Sequence, residues 1–588
     1  MPDWIKASCA VRLNTMAALA CAIVVGALLF WNAWTFAYIF WIGTSPLPFG
    51  DQWSLFPDQI IRNLFGLHNE HRPTLGRLVG LLDWYVDDAR NRVNATFIVI
   101  CYPVLGLTLF KLVKTIVANW RRAVLFTGLA SAIILSAAQW ENMLWGFQTT
   151  FVGSFVLALL ALFFAALAAP ASQLPGRKTA NVVLCLSASF FAVFSLASGL
   201  LVLPFVTALF FLLGTSPRIK YGYSVFAIAA LGFYFYGYAG PSDQANPLTS
   251  LRDMSAVGRF TLAYVGSPFA RGDPDVAAIT GAAGLLVLIV LIANAAITFL
   301  REPRLLQAPK GAAYIVLLLF AVFIFCTGGL TALGRSTGFG IGGALSPRYA
   351  TPALFFWGDI VVACLVQSDV RRDGVSPFLC CGGAALGVAL ASYVAFNQRA
   401  YVESMYNKRA EKFNAAIAYL LGIRNQPVVL QLYPQAAAVL AGHLDKPFQR
   451  LQRAHKSIFT DDWVARLGTP LREWKPDLGS ACRGAIDRRA LVPDQATAIS
   501  ELVGWAWDDE RRRVPDLIAF TDARGLVVGF AAPGFRRVDV RQEAGVTSSA
   551  AGWNGFARAD QTVTIHAYGV ALGFSNRACE FAASLSSR

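Results

Sequence analysis

Two short polar stretches carry the residues best suited to chemistry. The first reads Pro48-Phe49-Gly50-Asp51-Gln52-Trp53, and the second His68-Asn69-Glu70-His71-Arg72-Pro73. Asp51 and Glu70 are the residue type that takes a proton from a reacting hydroxyl. Arg72 is the type that forks onto a phosphate or carboxylate. His68 and His71 stand i,i+3 apart, which could seat a metal on a helix, but no third ligand is evident and no metal site is expected. Three further segments add to the inventory: Gln139-Trp140-Glu141-Asn142-Met143-Leu144-Trp145-Gly146-Phe147-Gln148, Gly334-Arg335-Ser336-Thr337 and Ser346-Pro347-Arg348-Tyr349.

The elements that must position these residues are apolar helices. Of the 588 residues 56% are hydrophobic and 14% charged, well below the roughly 25% charged of soluble domains. Apolar runs of about 20 residues alternate with polar breaks, the pattern of a polytopic α-helical membrane protein. The pattern predicts eleven spans, near 16–42, 94–117, 123–140, 149–169, 180–198, 200–214, 222–240, 279–299, 312–331, 351–367 and 377–397. The first is too long for a secretory h-region and is expected to be retained. Breaks after even-numbered spans, with the N-terminus, hold every lysine before residue 398, along with Arg121, Arg122, Arg301, Arg304, Arg371 and Arg372. The positive-inside rule then predicts a cytoplasmic N-terminus. An odd number of spans sends the loops 43–93, 139–148, 241–278 and 332–350, and everything after 397, to the outer side.

Residues 400–423 are expected to form an amphipathic helix leaving the bilayer. A mixed connector follows, with a β-like run at Val428–Tyr433 and short helices near 434–442 and 447–454. From about 477 short alternating strands with turn residues predict an extracytoplasmic β-sandwich. The domains are therefore expected as 1–397, 398–476 and 477–588. Cys482 and Cys579 bracket the last of these, and in an oxidising compartment they are expected to pair. The net charge of +15 divides as 25 basic against 16 acidic residues before 398 and 25 against 19 after it. This reads as topology and attraction to anionic lipid head groups, and no nucleic-acid partner is expected.

Sugar transfer from a lipid phosphate needs a base for the acceptor hydroxyl, cations for the departing phosphate, an apolar groove for the tail and aromatic or amide contacts for the sugar. Asp51 is the base candidate, with Glu70 as the alternative. Arg72, Arg335 and Arg348 are phosphate candidates. Trp53, His68, His71, Trp140, Glu141, Asn142 and Trp145 are candidates for substrate contact. The layout, and the motifs GDQW, HNEHRP, WENMLWGFQ and SPRY over residues 1–397, resemble the C-type glycosyltransferase superfamily. That resemblance implies a polyprenyl-phosphate-linked sugar donor and a glycan, lipid or protein acceptor at the outer face of a bacterial cytoplasmic membrane. It also implies that Asp51, at the position of the superfamily's first-loop acid, is catalytic base or metal ligand. Many members carry a second acid where this chain has Gln52, so a dinuclear metal is not expected; a single divalent ion stays open. Three other readings stand beside this one: a lipid-linked sugar flippase, a surface-polysaccharide ligase or polymerase, and a non-catalytic carbohydrate-binding scaffold.

Overall fold

The computed structural model describes residues 3–581 apart from 55, 171–177, 241–246, 371–375, 425, 434–441, 496, 543–544 and 574–576. Arg371, Arg372 and nearly all of the helix expected at 434–442 lie outside the described residues.

Each of the eleven apolar runs is helical. The bundle helices are α1 (Asp3–Gly43), α2 (Arg92–Ile116), α3 (Trp120–Ile134), α4 (Gln148–Ala168), α5 (Lys178–Val193), α6 (Val202–Leu212), α7 (Pro217–Phe235), α8 (Pro274–Arg301), α9 (Pro309–Phe339), α10 (Ala350–Val370) and α11 (Ser376–Leu420). Seven of them, α1, α2, α4 and α8–α11, are long and apolar enough to cross a membrane. The chain is a polytopic membrane protein. Starts are set locally: Asp273 caps α8 by accepting from the Asp275 and Val276 N–H groups, with Pro274 at the first helical position. The α10 helix is buried throughout its apolar window, whereas those of α1, α8 and α11 are mostly open on the outside of the bundle. Apolar side chains there, such as Trp41 and Ile279, point outward, as lipid-facing residues do. Close crossings need small residues: a Cβ on Gly281 would stand 1.9 Å from the Leu262 carbonyl oxygen.

Contacts between loops sort them onto two ends. At one, Arg122 pairs with Asp369 at 2.8 Å and Lys310 donates to the Val370 carbonyl at 3.4 Å. At the other, residues of the loops 43–93, 139–148 and 332–350 meet one another and the segment after 420. The alternation of basic breaks in the sequence matches this division.

The chain does not break near 397. The α11 helix runs on to Leu420, so the predicted amphipathic helix is its continuation. The predicted β-run at Val428–Tyr433 is a correction: Pro427–Gln431 is a 3-10 turn opened by Pro427, whose missing N–H suits a first helical position. A nine-residue helix follows at Asp445–Arg453. The C-terminal domain is all β, with β1 (Asp477–Leu491), β2 (Ser500–Asp508), β3 (Leu517–Thr521), β4 (Val527–Phe535), β5 (Gly552–Ala557), β6 (His566–Val570) and β7 (Arg577–Phe581). Where the sequence suggests two facing sheets, the strands close one ring in the order β1-β2-β5-β4-β3-β6-β7, and a parallel β1–β7 pair seals it. Closure removes the sheet edges that invite pairing with another chain. The β3–β4 turn is held by Asp522, which accepts from the N–H groups of Arg524 and Leu526.

Cys482 and Cys579 join β1 to β7 as a disulfide, with Cα atoms 5.2 Å apart. The bridge closes a loop of 97 residues. Replacing both cysteines by alanine is expected to destabilise the barrel by about 2–4 kcal/mol. Chemical denaturation of the purified protein, followed by near-ultraviolet circular dichroism, checks this; an unchanged midpoint would show the bridge to be dispensable.

Candidate active site

Asp51 sits in the 3-10 turn Gly50–Ser54, and that turn is pinned from the C-terminal half of the chain. The Leu432 carbonyl accepts both the Gly50 N–H and the Trp53 indole N–H, each at 3.1 Å. Those two bonds fix the backbone on either side of Asp51. Gly50 has φ +52°, and a Cβ there would stand 3.1 Å from Cζ2 of Trp145, so glycine lets the turn lie against the indole. Trp53 is spent on this anchoring. It is 4% exposed and packs near Phe448 in the connector core, so the expectation that it contacts a sugar is corrected.

The histidines are not on a helix, as a metal-binding spacing would have required. His68 and His71 exchange backbone hydrogen bonds of 2.8 and 3.0 Å around the turn Asn69-Glu70, with Asn69 at φ +52°. Residues directly opposite in such a pair share a face, and both rings meet carboxylates: His68 Nε2 lies 3.4 Å from Asp51, and His71 Nε2 3.3 Å from Glu70. The Ala197 N–H donates to His71 Nδ1 at 3.1 Å. That bond leaves the His71 proton on Nε2, facing Glu70. Burial lowers the His71 pKa, against the opposing pull of Glu70. Arg335 reaches the same Glu70 oxygen at 3.6 Å. Asp51, His68, Glu70, His71 and Arg335 thus form one charged cluster.

Arg335 and Arg348 also line a cavity of about 300 Å³, together with Phe339, Gly342, Gly343, Leu345, Ser346 and Tyr349. Arg72 is not with them. Its Nε donates to the Tyr234 carbonyl at 2.9 Å, Nη1 to that of Phe65 and Nη2 to that of Tyr236, both at 2.5 Å. With 8% exposure and these carbonyl partners, Arg72 ties the first loop to the end of α7, which corrects its assignment to phosphate.

The segment 139–148 clamps the SPRY turn. Glu141 accepts from the Ser346 hydroxyl at 3.1 Å, the Arg348 N–H at 3.2 Å and the Arg348 guanidinium at 3.4 Å. Asn142 donates to the Arg348 carbonyl at 3.2 Å and to Thr351 at 2.6 Å. Both were expected at substrate; here their polar atoms chiefly hold Arg348 in place. Trp140 packs on the bundle core. Trp145 is different. Its ring meets Phe49 edge-on at 5.2 Å and stacks with Phe147 at 5.8 Å, and Arg348 lies 5.8 Å over it. Its indole N–H is buried with no acceptor among the described residues, and Oε1 of Gln52 and of Gln148 are buried with no donor among them.

The sequence reading missed two contributors. Leu432 acts through its carbonyl, which no side-chain pattern reveals. Lys412 lies in the predicted amphipathic helix, where a charged side chain ordinarily faces solvent. Yet Ala415 and Ala416, three and four positions on, are fully buried, and helical spacing puts Lys412 on their side.

No family model matches the chain, and no curated protein matches it. Among solved structures, the Archaeoglobus fulgidus oligosaccharyltransferase, tethered by a disulfide to an acceptor peptide with an NVT sequon, superposes with a TM-score of 0.31 and 13% identity. The match covers 72% of this chain and 59% of that one, so the chain spans less than two thirds of that enzyme's length. A likeness of this size carries no argument about activity.

Proposed function

We propose that this chain is an inverting membrane glycosyltransferase that moves a sugar from a polyprenyl-phosphate donor to a cell-envelope acceptor at the outer face of the cytoplasmic membrane. The observation that supports it is the meeting, at one end of the bundle, of a half-buried carboxylate with a cavity carrying two arginines. In this reading the acceptor oxygen attacks the anomeric carbon as the bond from that carbon to the phosphate oxygen breaks. Asp51 takes the acceptor proton, with His68 beside it. The lipid phosphate leaves with the bonding electron pair, and Arg335 and Arg348 offset its charge. Glu70 orients Arg335 and the His71 ring. The Trp145 ring, beside Arg348, is the aromatic candidate for the sugar.

No three His, Cys, Asp or Glu among the described residues gather closely enough to hold a metal ion. Asp51 is taken up by the His68 imidazole, and Glu70 by that of His71 and by the Arg335 guanidinium.

Lipid-linked sugars and envelope glycans of a strain lacking the gene test the proposal. One sugar is expected to disappear, to return with the wild-type chain, and to stay absent with Asp51→Asn. An unchanged glycan profile in the deletion strain sinks the reading, and full restoration by Asp51→Asn sinks the role of Asp51.

A further inference from the structure

Lys412 stands on the part of α11 that projects past the last apolar stretch, and only 2% of it is exposed. Its Nζ lies 3.5 Å from the centre of the Phe49 ring. It donates no hydrogen bond to a described residue. An ammonium so placed is costly unless something pairs with it. Its helical neighbours are engaged elsewhere: Glu411 is taken by Asn407 at 2.8 Å and by Lys408 at 2.9 Å. From the facing segment only Glu141 opposes the burial that pushes the Lys412 pKa down to about 7. Glu141 is itself held by Arg348.

The arrangement around Trp145 is therefore lopsided. Lys412 covers Phe49, Phe49 meets Trp145, and Arg348 covers Trp145. Both cations face Glu141, with Glu411 also acting on Lys412 and Asp51 on Arg348, and the indole N–H of the ring that Arg348 covers has no acceptor among the described residues. An occupant that balances this must be anionic and must offer several acceptor oxygens. A phosphate ester does both, and its ester arm could lie along the aromatic rings. A sugar alone would fill the N–H and leave the charge.

We infer that Lys412, Arg348 and the Trp145 indole N–H form a subsite for the phosphate of a lipid-linked substrate, so that the segment after the last span completes the site. The identity of that substrate rests on the proposed glycosyl transfer; the anion subsite itself does not.

Direct binding to the purified full-length chain in detergent micelles tests this, with a polyprenyl monophosphate as probe and tryptophan fluorescence as readout. The wild-type chain is expected to bind the probe, inorganic phosphate to compete, and the uncharged polyprenol to bind far more weakly. Losing one charge-assisted contact in Lys412→Met is expected to weaken binding by roughly 10- to 100-fold. Lys412→Arg should keep most of the affinity, and Asp51→Asn all of it. Trp145→Phe, which keeps a ring and removes the N–H, should weaken binding less than Lys412→Met and serves as a second variant if Lys412→Met does not fold; its affinity is read by calorimetry. Absence of wild-type binding, equal binding of polyprenol, or undiminished binding by either variant overturns the inference. Phosphate binding through Lys412 without any sugar transfer would sink the proposed function and leave the subsite standing. Asp51-dependent transfer with unweakened binding in Lys412→Met would do the reverse.

Discussion

Asp51→Asn is expected to lower the rate of sugar transfer by about 10²- to 10⁴-fold while donor binding and stability stay near wild type. The amide is nearly isosteric with the carboxylate, so the turn held by the Leu432 carbonyl has no reason to move. What is lost is the group that takes the acceptor proton, 3.4 Å from His68. Single-turnover transfer with a saturating lipid-linked donor reads the chemical step. An Asp51→Asn enzyme with wild-type turnover would move the base to Glu70, whose pairing with His71 and Arg335 makes it the next carboxylate to test.

Arg72→Ala and Arg335→Ala should fail in opposite ways, although both arginines look alike in the sequence. Arg72 satisfies the carbonyls of Phe65, Tyr234 and Tyr236 inside the protein. Truncating it strands one buried and two part-buried acceptors, at a cost of about 1–3 kcal/mol for a buried one, so a loss of roughly 2–4 kcal/mol is expected. Arg335 is about a quarter exposed, and its one ion pair is long at 3.6 Å. Its removal should cost less than about 1 kcal/mol of stability. The charge it presents to the cavity is another matter, and transfer should fall by about 10²-fold. Thermal unfolding in detergent, set beside transfer rates, separates the two outcomes. A stable but inactive Arg72→Ala would return Arg72 to the phosphate site.

The bundle was legible because a membrane span advertises itself: about 20 apolar residues are needed to cross, and few other structures use such a run. The gathering of the loops 43–93, 139–148 and 332–350 at one end followed from the alternation of spans. Residue type also picked out Asp51, Glu70, Arg335 and Arg348, which the fold brings to one end. What type could not show is where a polar group spends its hydrogen bonds. Arg72 spends them on backbone carbonyls, Trp53 on Leu432, and Glu141 on the SPRY turn. Those partners lie far away in sequence; Trp53 and Leu432 are 379 positions apart. The β-like run Val428–Tyr433 misled for a related reason. Its apolar alternation suits a strand, but Pro427 and the demand for the Leu432 carbonyl favour a turn.

The unbroken α11 sets a standoff. At 45 residues it is about 67 Å long, more than twice the thickness of a bilayer core. From Asn397, where the apolar run ends, to Ala410, where the helix passes close to Gly534 of β4, is a rise of about 20 Å. The helix is unbroken between them, so the barrel stands at a set distance from the end of the apolar run. The helix thereby acts as a ruler: in the proposed transfer an acceptor would have to bring its hydroxyl to that fixed level to reach Asp51. Reach from the bilayer would then become a selection rule, and lengthening α11 by whole turns before Ala410 would disturb the site itself, carrying Lys412 from Phe49 and the Leu432 carbonyl from the Asp51 turn.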